Sequence, residues 1–191
     1  MEESPHNPSQ GYLLDTSIIS VLAPGRQRQV PPAFAYWLQA HSAQLYLPSI
    51  AVVELAQGIA KLRRSGSVAR AERLDQWLDG LVAGYGKHIL ALDAPAAQLA
   101  GRISDAATAA GRHPGFADVA IAALARHYDL TLLTHNTKHF APLGVVCEDP
   151  LVIGRFQANE ASLLEKAVGP RKASAKRKAV ARKPTSAEGR S

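Results

Sequence analysis

Tyr12-Leu13-Leu14-Asp15-Thr16-Ser17-Ile18-Ile19-Ser20-Val21-Leu22 is the stretch on which the fold turns. A short apolar run ends in an acid, two hydroxyl residues follow, and apolar residues then recur at helical spacing through Ile18, Ile19, Val21 and Leu22 until Pro24-Gly25 stops them. That is the pattern of a strand, a turn and a short helix. The unit recurs downstream. Leu45-Tyr46-Leu47 reads as a strand closed by Pro48-Ser49, and Ile50, Val53, Ala56 and Ala60 carry a helix over 50–62 with Ser49 as its expected N-cap.

The remaining elements fit between these landmarks. Pro31 and Pro32 open a helix carrying Phe34, Trp37 and Leu38, and a helix over roughly 68–82 places Leu74, Leu78 and Leu81 on one face. A strand is expected over 88–92, then an Ala-rich helix capped by Asp93. The helix over 116–127 is apolar nearly all round and is therefore expected to be buried. Strands are expected over 130–134 and 144–147. Strands alternating with helices of this length predict a parallel central sheet with helices on both faces, a three-layer α/β/α architecture. Ligands of such sheets sit beyond the carboxyl ends of the strands.

The chain has 191 residues, 47% hydrophobic and 20% charged, a soluble globular profile. A single cysteine, Cys147, excludes an intrachain disulfide framework and a multi-cysteine metal site. Lys and Arg number 22 against 16 Asp and Glu, a formal net charge of +6. Residues 166–191 hold nine Lys/Arg and one acid for a net of +8, leaving −2 for the rest. The basic character thus belongs to the tail and says nothing of the fold. Four regions are expected: a flexible leader over 1–10, the α/β domain over 11–150, an extension of helical character over 151–165, and a basic disordered tail over 166–191. Met1-Glu2-Glu3-Ser4-Pro5 has neither the basic nor the apolar part of a targeting segment, and nothing approaches the ~18 apolar residues of a membrane span. A cytoplasmic protein without membrane contact is expected.

Three carboxylates fall at or near strand carboxyl ends. Asp15 ends the first strand, where a plain N-cap is the competing reading. Glu54 is flanked by apolar residues, and Asp118 interrupts the most apolar helix, where an unpartnered carboxylate costs several kcal/mol. Acids gathered without a basic partner repel each other, and a hard divalent cation with oxygen ligands relieves the repulsion. Such an ion can activate a water and offset phosphate charge, as nucleases require.

Leu13-Leu14-Asp15-Thr16-Ser17, Val53-Glu54-Leu55-Ala56-Gln57-Gly58 and Ala117-Asp118-Val119-Ala120-Ile121-Ala122-Ala123 resemble the three acidic motifs of PIN-domain ribonucleases. Leu133-Thr134-His135-Asn136-Thr137-Lys138-His139-Phe140 resembles the fourth motif, and Pro142-Leu143-Gly144-Val145 the usual ending. The likeness runs from about Tyr12 to Pro150 and is strongest to the VapC/FitB group, toxins of bacterial type II toxin–antitoxin pairs. It implies a Mg²⁺-dependent endoribonuclease, with Mn²⁺ able to substitute, that hydrolyses RNA phosphodiester bonds by a metal-activated water and leaves 5′-phosphate and 3′-hydroxyl ends. Asp15 and Asp118 would be direct ligands, and Glu54 would act directly or through a water. Thr16, Ser17 and Thr134 would support them. Asn136 completes the catalytic set where many relatives carry a fourth acid, and His135 stands where Arg is common.

The implied partners are an RNA substrate, a small cognate antitoxin and a second copy of the chain, with the faces around Phe34, Trp37 and Leu38 or Leu74, Leu78 and Leu81 as homodimer contacts. The alternative is a catalytically weakened PIN-fold RNA-binding module, for which Asn136 is the main support. A dehalogenase-like phosphatase is disfavoured because Ser17 stands where a second Asp is needed. His135 and His139 read as a surface turn, Gly84-Tyr85-Gly86-Lys87-His88 is not a phosphate loop, Cys147 reads as structural, and Trp37 and Trp77 as core. Lys61, Arg63 and Arg64 suit a helix C-terminus, with phosphate contact as the alternative.

Lys172, Lys176, Arg177, Lys178, Arg182 and Lys183 are the tail's candidate RNA contacts. Deleting residues 166–191 is therefore predicted to weaken RNA binding and flatten its salt dependence without altering metal-dependent cleavage. Binding titrations over a salt series check this, and an unchanged slope removes the tail from the interface.

Overall fold

The computed structural model describes residues 11–26 and 30–152. The leader over 1–10, nearly all of the 151–165 extension and the whole basic tail lie outside the described residues. Within them the order is β1 (Tyr12–Leu14), α1 (Thr16–Val21), α2 (Pro32–Ala40), β2 (Leu45–Pro48), α3 (Ser49–Arg64), α4 (Val68–Tyr85), β3 (Ile89–Leu90), α5 (Ala94–Ala109), α6 (Phe116–His127), β4 (Thr131–Leu133), α7 (Thr137–Phe140) and β5 (Cys147–Glu148). The strands form one parallel sheet in the order β3-β2-β1-β4-β5.

β1 is the central strand and is buried throughout because helices cover both faces. Its side chains alternate between two cores. Leu13 and Leu132 pack with Ala96, Ala100, Ile103 and Ala122 of α5 and α6. Tyr12, Leu14 and Leu133 pack on the other side with Ile18, Ile19, Phe34 and Ala51. A smaller core of Ile59, Ala71 and Leu78 joins α3 to α4, and Arg63 pairs with Asp75 across the same hairpin at 2.6 Å. This is the expected three-layer α/β/α fold.

Local differences have physical causes. Pro48, not Ser49, takes the N-cap position of α3, Ser49 is already helical, and no side chain caps that end. Asp93 does cap α5, accepting from the Ala96 amide at 3.0 Å. The last strand begins at Cys147 rather than 144, because a short 3-10 turn over 141–143 ends on Gly144 in the left-handed region at φ 69°. α4 runs to Tyr85, and the strand expected over 88–92 shortens to Ile89–Leu90.

The two faces expected to bind a second copy are largely covered by the chain's own helices, with Trp37, Leu38, Leu74 and Leu81 half-buried. Phe34 is fully buried with Trp37 and Leu38 against it, and Leu74, Leu78 and Leu81 pack against α3. α6 is buried from Val119 to Ala125, but its first residue, Phe116, is 70% exposed.

Gly11 leads into β1 at φ 131°, and its carbonyl accepts from the Thr131 amide of β4 at 3.1 Å. A Cβ there would lie 2.5 Å from the Gln44 carbonyl oxygen. Gly11→Ala is accordingly predicted to cost about 2 kcal/mol or more, from positive-φ strain and a backbone clash at the central strand. Urea unfolding measures it, and wild-type stability would contradict the close approach.

Candidate active site

Parallel pairing in register places Leu14 opposite Leu133, so β1 and β4 end side by side and Asp15 and Thr134 leave the sheet together. The Asp15 amide donates to the Leu133 carbonyl at 2.9 Å, while its own carbonyl accepts from Ile18 and Ile19 at 3.0 Å to start α1. The Asp15 backbone thus joins strand to helix and its side chain is released from capping: no side-chain cap bond forms at this helix start. The plain N-cap reading is replaced by another arrangement. Asp15 Oδ2 accepts from Ser17 Oγ at 2.6 Å and from Thr134 Oγ1 at 2.7 Å, in a residue only 4% exposed.

Each of those hydroxyls accepts a backbone N–H in turn. The His135 amide donates to Ser17 Oγ at 3.1 Å and the Asn136 amide to Thr134 Oγ1 at 2.9 Å. An ionised carboxylate can only accept, so each hydroxyl gives its one proton to Asp15 and takes the amide N–H on a lone pair. Both bonds fall on Oδ2, and Oδ1 has no hydrogen-bond partner among the described residues.

Asp118 sits half-buried in the first turn of α6. Desolvation, reinforced by the negative charge of Asp15 and partly offset by His139, raises its pKa above the usual carboxylate range. Asp118 thus lies within electrostatic reach of Asp15. Glu54 enters from the middle of α3, which packs on both α1 and α6. Its Oε2 accepts a short hydrogen bond from Thr16 Oγ1, so it is tied to the turn that carries Asp15. Among the described residues no three Asp, Glu, His or Cys side chains are gathered closely enough to hold an ion by themselves. What the fold brings together is an Asp15–Asp118 pair with Glu54 held beside it through Thr16. An unpaired carboxylate oxygen and two mutually repelling acids match a hard cation that binds through one or two carboxylates and keeps its waters.

Asn136 lies at the same end of the sheet, exposed, at the start of α7. Its carbonyl accepts from His139 at 2.8 Å, and its side chain makes no capping bond. His135 contacts Asp149 Oδ1 through Nδ1 at 3.0 Å, and the same oxygen accepts from the Leu151 amide, which pins the loop beyond β5. His139, read from the sequence as part of a surface turn, proves to act on Asp118. Nothing in its local sequence signals this, because the contact forms only when α7 packs on α6. Cys147 is half-buried with its thiol pKa pushed up by burial, as fits a structural residue.

The PIN-domain family model matches residues 12–144, which takes in Asp15, Glu54 and Asp118. The chain belongs to the PIN-domain family. This PIN domain is 34% identical over 141 residues to Toxin FitB of Neisseria gonorrhoeae, covering 72% of this chain and 96% of that protein. The crystal structure of FitAcB from Neisseria gonorrhoeae superposes with a TM-score of 0.57 at 33% identity, over 74% of this chain and 99% of the matched one. A DNA-bound VapBC from Salmonella typhimurium shares the fold, with a TM-score of 0.58 at 24% identity over 73% and 97% of the two chains.

The raised pKa of Asp118 carries a linkage. The native state holds the Asp118 proton more tightly than the unfolded chain, so its contribution to stability is complete below the unfolded pKa and is lost as pH rises through the higher folded one. Asp118→Asn in EDTA is predicted to raise the melting temperature relative to wild type at neutral pH, with the gap closing in acid. A gap independent of pH would show that Asp118 is not strained as an anion.

Proposed function

We propose that this PIN domain is a Mg²⁺-dependent endoribonuclease and the toxin of a type II toxin–antitoxin pair. The observation that carries the reading is the Asp15–Asp118 pair, with Asp15 fixed by Ser17 and Thr134 so that one carboxylate oxygen stays available. Asp15, Asp118 and Glu54 would hold Mg²⁺, or Mn²⁺ in its place. When bound, the ion supplies a water nucleophile active near neutral pH and offsets charge on the phosphate oxygens. The protein's share is orientation. Ser17 and Thr134 keep the Asp15 carboxylate from rotating, and Thr16 sets the Glu54 carboxylate beside it. Asn136 offers an uncharged amide that can donate to a phosphate oxygen where an acid would repel it. Cleavage would leave 5′-phosphate and 3′-hydroxyl ends.

The toxin reading draws on FitB, named a toxin and matched over 96% of its length. The antitoxin reading draws on complexes such as FitAB bound to an IR36 DNA fragment, matched at 30% identity with a TM-score of 0.57. A groove between α1, α3 and α4 opens beside Glu54 and is lined by Leu55, Ile59, Leu62, Leu74 and Trp77, a surface suited to the apolar face of an antitoxin segment. A homodimer would use Phe116, which borders a recess formed with Leu92, Ala97 and Ala100. The toxin reading, with RNA as substrate, implies a cytoplasmic protein; among the described residues no helix is long and apolar enough to cross a membrane.

Purified, partner-free protein is predicted to cut a mixed RNA pool with Mg²⁺ and not with EDTA. Asp15→Asn and Asp118→Asn should each lower the rate by about 100-fold or more, as expected when a charged group at the reacting phosphate is lost. Ser17→Ala, which loosens a carboxylate without removing it, should cost about 10–100-fold. Folded wild-type protein that binds RNA but never cuts it would favour the weakened binding module instead.

A further inference from the structure

Two recesses adjoin the acids, and their chemistry differs. The one beside Glu54 is floored by Leu55, Ile59, Leu62, Leu74 and Trp77, with Arg26 and Arg70 also on its wall. The other, of about 380 Å³, meets the acids at Asp118 alone and is lined by Arg112, His113, Lys138 and His139. We propose that this second recess is a phosphate subsite, in which Arg112 and Lys138, with His139 beside them, hold the RNA backbone one step along from the bond being cut; the assignment rests on the ribonuclease reading above.

The four basic residues come from two separate segments. Arg112 and His113 lie in the loop before α6, and Lys138 and His139 lie on α7 after β4. The fold brings these together on either side of Asp118. All four are exposed. Among the described residues the ion pairs are Arg63–Asp75 and His135–Asp149, so neither Arg112 nor Lys138 is neutralised by a carboxylate. Asp118 is the one acid lining the recess, and on this reading a cation claims it.

Unpaired cations lining a concave site repel each other until an anion arrives. Arg presents a planar fork that matches phosphate oxygens, and Lys a point charge. His139 lies close enough for its charge to bear on Asp118, so the recess and the acidic pair are adjacent. The recess does not reach Asp15 or Glu54. A phosphate seated on Arg112 and Lys138 is therefore a neighbour of the reacting phosphate. Holding it fixes the strand's register across the acids, which is a positioning role.

The test is the binding of a labelled single-stranded RNA of mixed sequence to the full chain in EDTA, where no cleavage occurs, over a series of salt concentrations. Arg112→Ala/Lys138→Ala should weaken binding about tenfold and reduce the slope of log affinity against log salt by about 1.4, the value for two phosphate contacts on a single strand. The charge-preserving pair Arg112→Lys/Lys138→Arg should keep the wild-type slope. Lys87→Ala/Arg102→Ala removes the same charge from exposed residues that line neither recess and should change the slope little. A wild-type slope in Arg112→Ala/Lys138→Ala, or an equal loss in the Lys87/Arg102 control, overturns the subsite while leaving the ribonuclease reading intact. Wild-type protein that binds no RNA at any salt overturns that reading, and the subsite with it.

Discussion

The carboxylate of Asp15 is nearly buried, and a buried anion without donors would cost several kcal/mol. Ser17 and Thr134 remove that penalty by donating to the same oxygen, one from the turn after β1 and the other from the end of β4. Ser17 reaches Asp15 locally, two residues on, whereas the Thr134 hydroxyl comes within reach only because the register sets Leu14 opposite Leu133. The loop after β4 is fixed by the same device, since the His135 and Asn136 amides donate to these hydroxyls. Sheet register, loop conformation and carboxylate orientation are thus one connected constraint.

That constraint explains which parts of the site were readable in the sequence. Asp15 stood out because an acid directly after an apolar strand must be turned away from the sheet. Asp118 stood out because its helix is otherwise apolar on every side, and Val119 to Ala125 are indeed all buried. Alternating strands and helices led to the correct layers, since burial on both faces makes β1 apolar without interruption. Glu54 was readable as an uncomfortable acid, whereas its tie to Thr16 across 38 residues was not.

The illegible parts are those that tertiary packing decides. An apolar helical face says that it will be covered and not by what. Phe34 and Leu78 were therefore assignable to a partner surface until α2 and α4 were seen packed on their own chain. Ser49 has the ideal composition for an N-cap, but the strand runs one residue further and Pro48 takes the position. Arg112 and Lys138 are 26 residues apart and share no periodicity, so only the packing of α7 against α6 makes them neighbours.

The placement of charge then follows from the opposing demands on one cleft. Acids dense enough to attract a divalent cation repel a polyanionic substrate, and the long-range field of the body, at −2, does nothing to correct this. Bases set among the acids would pair with them and leave the proposed cation nothing to neutralise. Bases set one step away, on segments that touch the cleft at a single acid, can draw in the strand without neutralising the centre. The recess of Arg112, Lys138 and His139 has this arrangement. In the proposed function, this separation between acidic centre and basic rim would let a short parallel sheet hold a cation and a nucleic acid at the same end.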